Sequence, residues 1–335
     1  MESKNNSIKQ IIKKVVLYLL IIVLCYTVLS IVAAHFVYTG IFNSIHEEYK
    51  ICNYPYELVS QRYPRESVCF SSGKNTLRGY MYSPEQNADK MVIISCGINE
   101  TADSHLAETM FFVDRGWVVM IYNATGIANS DGDSIIGLSQ SRLDLLSAID
   151  YAEKKLNIPI VLYGYSAGGY AAASVLDDSR VMGAVCISSF NSPVETMHYK
   201  AKEYTGILAD IQTPFLKLEH WFVFGDDGFV DATDSINNSD KPIAIYYGKD
   251  DDVIPYPINL YSHKPEINNK KAVFRCDDET HMSFCLSDSA KKYVSEIENS
   301  NKASRKEKID YDKANELDMV FMNEIEAFLK NACLL

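Results

Sequence analysis

Several chemistries are missing from this chain. Its eight cysteines are scattered, and no two are spaced as Cys-x-x-Cys. That argues against a zinc ribbon or a thioredoxin-like redox pair, and eight are too few to staple a chain of 335 residues. There is no P-loop and no dinucleotide fingerprint. Asp131-Gly132-Asp133 lacks the ligand spacing of a calcium loop, and no cluster of His and Cys surrounds Cys96. Basic residues are outnumbered, 32 Lys and Arg against 44 Asp and Glu, for a net charge of −12. Such a chain repels phosphate backbones, so a nucleic-acid partner is not expected. No internal repeat is visible. With 47% hydrophobic and 23% charged residues the composition is that of a folded globule, neither disordered nor collagen-like. No metal and no cofactor is expected.

One feature is out of keeping with a soluble globule. Val15 to Ala34 is a run of twenty residues without a charge. As a helix it would extend about 30 Å, the thickness of a bilayer core. Lys4, Lys9, Lys13 and Lys14 precede it and no basic cluster follows closely. The positive-inside rule then leaves residues 1–14 in the cytoplasm, makes 15–34 a signal anchor, and sends the rest across the membrane. Cleavage near Ala34, giving a secreted protein, is the rival reading, because Val32-Ala33-Ala34 resembles a small-residue cleavage site. On either reading residues 1–34 stand apart from the globule. Three Asn-x-Ser/Thr sequons begin at Asn99, Asn123 and Asn237. The first two fall in turns expected at the floor of a site, where a glycan would be disruptive, which favours a bacterial cell surface. Cys52 and Cys69 could pair outside the cell, though spacing alone does not decide it.

After a polar, aromatic-rich lead-in over residues 35–65, short apolar runs recur. They fall at Ser67–Ser71, Leu77–Tyr82, Met91–Ser95, Trp117–Tyr122, Ile158–Tyr163, Val181–Ile187, Ile243–Tyr247 and Ala272–Arg275. Each is strand-length, and several are rich in Val and Ile, as strands buried on both faces should be. Helix-length amphipathic stretches such as Ser139–Lys155 and Gly168–Leu176 separate most of them. This alternation predicts a mostly parallel eight-stranded sheet flanked by helices, entered through an antiparallel hairpin. One interval, about residues 191–240, is too long for a single crossover and is expected to be a small helical cap. Asp312–Leu329 should close the domain, residues 66–335, as an amphipathic helix with Leu317, Val320, Phe321, Phe328 and Leu329 as its apolar stripe. The polar stretch Glu298–Lys308 before it is expected to be a surface loop.

The chemistry is carried by Gly164-Tyr165-Ser166-Ala167-Gly168, which follows an apolar strand and opens an Ala-rich helix. Gly-x-Ser-x-Gly in that setting is a nucleophile elbow: Gly164 and Gly168 leave room for a sharp turn that presents the Ser166 hydroxyl. The N–H of Ala167, at the helix start, then points at a developing oxyanion. A serine hydroxyl is too weak an acid to attack unaided, so a base and an orienting acid must follow. Of seven histidines, His281 lies just past the last expected strand and is the candidate base. His198 and His220 fall in the cap, where a surface or substrate-contact role is expected. The acid should end the preceding strand, where Asp250, Asp251 and Asp252 stand in a row.

With these segments in this order, the chain resembles the α/β-hydrolases, in particular the compact serine hydrolases grouped with serine aminopeptidases, acylglycerol lipases and acyl-protein thioesterases. The likeness covers roughly residues 60–295. It implies an acid three residues after a Gly and ahead of a Val-Pro-like pair, which selects Asp251. It also implies a second oxyanion donor in the turn after the third strand, Cys96-Gly97-Ile98-Asn99, assigned to the N–H of Ile98. Cys96 stands where His is usual, and Asn123, Thr125 and Ala128 replace common residues of the turn after the fourth strand.

The expected activity is therefore two-step acyl transfer to water through Ser166, His281 and Asp251, with Ala167 and Ile98 as the oxyanion hole. A tether and an apolar, aromatic cap fit a small-molecule or lipid-like ester or thioester as substrate. A peptidase of the aminopeptidase type and a catalytically inactive binding protein are the alternatives.

Overall fold

The computed structural model describes residues 2–43, 53–83, 88–299 and 309–334. Its centre is an eight-stranded sheet in the order β1-β2-β4-β3-β5-β6-β7-β8. The strands are β1 Arg65–Ser72, β2 Asn75–Tyr82, β3 Met91–Ser95, β4 Val118–Asn123, β5 Ile160–Tyr165, β6 Val181–Ile187, β7 Ile243–Gly248 and β8 Ala272–Asp277. β2 runs antiparallel to both β1 and β4, and all other neighbours are parallel. Every residue of β3, β4, β5 and β7 is buried, which is why these strands read as unbroken apolar runs.

Helices cover both faces. They are α1 Glu2–Phe42, α2 Leu106–Val113, α3 Gln140–Leu156, α4 Ala167–Ala173, α5 Pro193–Thr205, α6 Ile207–Phe224, α7 Ala232–Asn237, α8 Asp288–Asn299, α9 Tyr311–Ala314 and α10 Met319–Ala332. One layer of the core joins α3 and α4 to the sheet, with Leu145, Tyr170 and Leu176 among its buried residues. The other sets Phe112, Trp117 and the α10 residues Phe321, Met322, Ile325 and Leu329 against the opposite face. The stretch 191–240 is α5, α6 and α7, the helical cap.

Three expectations need correction. First, the N-terminal segment is not separate from the globule. α1 is one helix of 41 residues, long and apolar enough to cross a membrane, and it continues past Ala34. Residues 35–42 of the expected lead-in are thus helical, and Tyr38 and Phe42 are only 3% and 4% exposed within the main core. Second, the closing helix starts at Met319, not at residue 312. Leu317 pairs with Leu286 in an isolated β-bridge, holding the chain extended, and the Asp318 side chain then accepts the N–H groups of Val320 and Phe321 as an N-cap. The buried stripe is Phe321, Met322, Ile325, Leu329 and Ala332, while Val320 is 80% exposed. Third, the expected loop Glu298–Lys308 begins as the last turn of α8, and residues 300–308 lie outside the described residues, as does Cys52 of the expected pair with Cys69.

Candidate active site

Sheet register assembles the site. β3 and β5 are hydrogen-bonded neighbours with Ser95 opposite Gly164, so the turns that follow them emerge side by side. β7 and β8 are neighbours with Gly248 opposite Asp277, which brings the Asp250–Asp252 turn against the 278–281 loop. The N–H of Asp250 donates to the carbonyl of Glu279 (3.1 Å) and stitches the two turns together.

Ser166 sits at the tip of the first turn with φ 53° and ψ −117°, a left-handed conformation held by its surroundings. Its N–H donates to the carbonyl of Ile187 on β6 (2.9 Å). Gly164 and Gly168 are required by contact. A Cβ on Gly164 would lie 2.2 Å from the Gly168 carbonyl, and one on Gly168 would lie 1.9 Å from that of Ser95. The helix α4 can start so close to β3 only because neither carries a side chain.

The three residues expected as nucleophile, base and acid are brought together in a chain of hydrogen bonds. Ser166 Oγ donates to His281 Nε2 (3.1 Å), and with its proton on Nδ1 the imidazole donates to Asp251 Oδ2 (2.8 Å). The other Asp251 oxygen accepts the N–H groups of Val253 (3.0 Å) and Ile254 (2.8 Å). All three are buried, whereas Asp250 and Asp252 point to solvent. Tyr165 donates its hydroxyl to the carbonyl of His281, and burial raises its pKa well above the ordinary value, so it remains a donor.

The turn Cys96–Asn99 lies against the serine. A Cβ on Gly97 would stand 3.2 Å from Ser166 Cβ, and among the described residues no group accepts the N–H of Ile98. Ala167 supplies the first N–H of α4 on the other side. A cleft of about 30 Å³ adjoins this pair, walled by Ile98, Ala167, Ile135, Gly137 and Leu138, and it includes Cys96. Cys96 Sγ is turned toward the carbonyls of Thr101 and Tyr122, at 3.7 and 4.0 Å. Cavities of about 510 and 390 Å³ lie elsewhere, in the cap and beside the end of α1, and include none of these residues.

Sequence reasoning passed over a second set of groups. Glu100 Oε2 accepts the N–H of Gly97 (2.6 Å) and is bonded by His105 Nε2 (3.0 Å), while His105 Nδ1 donates to Glu108 Oε1 (3.1 Å). All three side chains are buried. Burial alone would lower the His105 pKa, but Glu100 and Glu108 outweigh it and hold the imidazolium up to about 10. Glu100 thereby fixes the peptide immediately ahead of Ile98. The only sequence signal is a carboxylate three residues after a turn glycine. The turn after β4 is structural: Asn123 Oδ1 accepts the N–H of Ala102 (2.8 Å), Nδ2 donates to Asn129 (2.8 Å), and the residue is 3% exposed, without room for a glycan. His220 is fully buried and not at a surface, between Tyr38 of α1 (2.9 Å) and Ser139 (3.0 Å).

Comparison with known proteins agrees with this architecture. Residues 86–221 match the family model for serine aminopeptidases, S33. The esterase Pf2001 of Pyrococcus furiosus superposes with a TM-score of 0.55 at 16% identity, over 76% of this chain and 96% of that one. The α/β hydrolase GrgF from Penicillium sp. gives 0.54 at 18%, over 81% and 100%. Acetyl xylan esterase 1 from Thermoanaerobacterium gives 0.50 at 14%, over 69% and 82%. No curated protein matches the chain by sequence. The chain has the α/β-hydrolase fold, and the matched segment is similar to the serine aminopeptidases.

Proposed function

We propose that the protein is a membrane-anchored serine hydrolase that cleaves carboxylic esters or thioesters of acyl or lipid-like substrates. The observation that carries the reading is the hydrogen-bonded line Ser166, His281, Asp251, set between the Cys96–Asn99 turn and the start of α4. His281 Nε2 takes the hydroxyl proton as Ser166 Oγ attacks the carbonyl carbon. The oxyanion is held by the N–H groups of Ala167 and Ile98, each worth about 3 kcal/mol in sites of this kind. Asp251 keeps the imidazole in the required tautomer and stabilises the imidazolium. His281 then protonates the leaving group and activates water to release the acid.

The anchor reading is supported by the lysines ahead of Val15 and by the way α1 packs on the domain on both sides of Ala34. Cleavage there would divide a docked helix, so an uncleaved anchor with a cytoplasmic N-terminus and an external catalytic domain is the preferred arrangement. The membrane is then a partner through residues 15–34.

The test is turnover of nitrophenyl esters from acetyl to palmitoyl by the full chain, beside Ser166→Ala. Loss of turnover by about 10⁴-fold or more in the variant is expected. Equal turnover by the two proteins would overturn the assignment. Because the matched family model is that of an aminopeptidase, aminoacyl nitroanilides form the second series. Preference for these over the esters would make the protein a peptidase.

A further inference from the structure

The cap helix α6 is amphipathic in the wrong sense for a soluble protein. Ala209, His220 and Phe224 face the domain, yet Ile207, Leu208, Ile211, Leu218, Trp221 and Phe222 form an outward stripe. Ile207 and Phe222 are 74% and 66% exposed. At 100° per residue these six fall within one arc of the helix. One border of the arc is the seam with α1; Asp210 and Lys217 stand at the other.

That seam is specific. Buried or half-buried positions on α1 recur at helical spacing, Thr27, Ser30, Ile31, Ala34, Tyr38 and Phe42. Phe215 meets the Tyr26 ring edge-on at 6.0 Å, Gln212 bonds Tyr26 (3.3 Å) and Ser30 (3.4 Å), Glu219 bonds His35 (2.8 Å), and His220 bonds Tyr38 (2.9 Å). Later residues of α1 meet later residues of α6, so the two helices run in the same direction. Gln212 lies level with Ser30, four residues before the end of the charge-free run at Ala34. At 1.5 Å per residue that is about 6 Å inside the apolar span, and Ile207 begins more than a turn deeper. An interfacial helix buries its apolar face to about this depth.

We propose that α6 is a second bilayer-contacting element, with Ile207, Leu208 and Ile211 seated among the acyl chains of the leaflet through which α1 leaves and Trp221 and Phe222 at its headgroup level, beside Tyr38. The occupant of the face is lipid, because the stripe is continuous with the apolar surface of α1, its first half shares the level of the charge-free run, and its aromatic end falls where a bilayer's interface would lie. The proposal rests on the anchor reading above. It also gives the site a supplier: Gly137, in the wall of the cleft beside Ile98 and Ala167, lies so close under Tyr38 and Phe224 that a Cβ there would meet them at 2.3 and 2.7 Å. The α1–α6 pair therefore roofs that cleft, and the ester it takes is one resident in the bilayer.

The two tryptophans make this measurable, since Trp117 is fully buried and Trp221 is 48% exposed. The full chain and Trp221→Phe are reconstituted in phosphatidylcholine and phosphatidylglycerol vesicles containing lipids brominated at shallow or deep chain positions. Expected is quenching by the shallow bromines that exceeds quenching by the deep ones and disappears in Trp221→Phe, with acrylamide quenching lowered on vesicle binding. Carbonate extraction reads the anchor separately. Release of the chain would sink the anchor reading itself. A retained chain whose Trp221 responds to acrylamide and not to bromolipid would overturn this proposal alone. So would Trp221 shielded from both quenchers in copies that cross-link through position 211, which would give the face to a second copy. As an independent arm, Ile207→Asp with Ile211→Asp should leave hydrolysis of a soluble acetyl ester unchanged and lower hydrolysis of a vesicle-borne ester about tenfold or more. Equal loss on both substrates would also count against it.

Discussion

The rim of the sheet and the α1–α6 pair are built on opposite terms. At the rim, Ser166, His281, Asp251, Glu100 and His105 are buried, and each has hydrogen-bond partners within 3.1 Å. Two glycines there stand closer to backbone than any Cβ could. On the α1–α6 pair, large apolar side chains are turned outward and the polar ties lie along the seams with α1 and α5 and beneath His220. A buried polar network holds its shape only if every member is satisfied, so the rim is intolerant of single changes. An apolar outer face has no such requirement and answers to the solvent it meets. The contrast separates a region whose geometry is internal from one whose environment completes it.

The comparison can be tested by substitution, beginning at the rim. The largest loss is expected from Ser166→Ala, as described. Next, Glu100→Gln should lower kcat by about 10- to 100-fold with little change in KM, because the peptide ahead of Ile98 loses its anionic acceptor. A merely structural role for Glu100 would instead lower the melting temperature and leave kcat of the folded fraction intact. Third, His105 should make stability depend on pH. Its folded pKa, about 10, exceeds the ordinary 6.5. The stabilisation is therefore complete below about pH 6.5 and is lost as the pH rises through about 10. Denaturant midpoints over that window should fall, and His105→Gln should flatten the slope; an unchanged slope would refute the charge assignment. The smallest effect is expected from Asp250→Asn and Asp252→Asn, which face solvent and should stay within about twofold of the parent in kcat/KM. A large loss in either would mean that the acid has been misassigned.

Much of the rim was legible in the sequence. Strands buried on both faces are unbroken apolar runs, so Met91–Ser95 and Val181–Ile187 were read to the residue. Ser166 follows from its glycines and its strand–helix setting, and His281 from its place after the last strand. Asp251 needed a family register, since three neighbouring carboxylates look alike until packing buries one. The α1 seam was not legible, because a helix apolar on all sides carries no mark of which face will be covered. Glu100, His105 and Glu108 were missed for the opposite reason: charged residues within nine positions read as a solvated turn and helix until Tyr165 and the distant 282–286 segment pack beside them.

The pairing of Ser95 with Gly164 has a further consequence. The Ser166 turn and the Cys96–Asn99 turn are set by two strands counted against each other, like the scales of a vernier. Exchanging Val161 or Leu162 for another branched apolar residue leaves the count intact. Deleting either one would draw Ser166 back by a residue and turn its side chain to the opposite face of the sheet. Over generations such a fold can alter its apolar lettering freely, but β3 and β5 can neither gain nor lose a residue without the other.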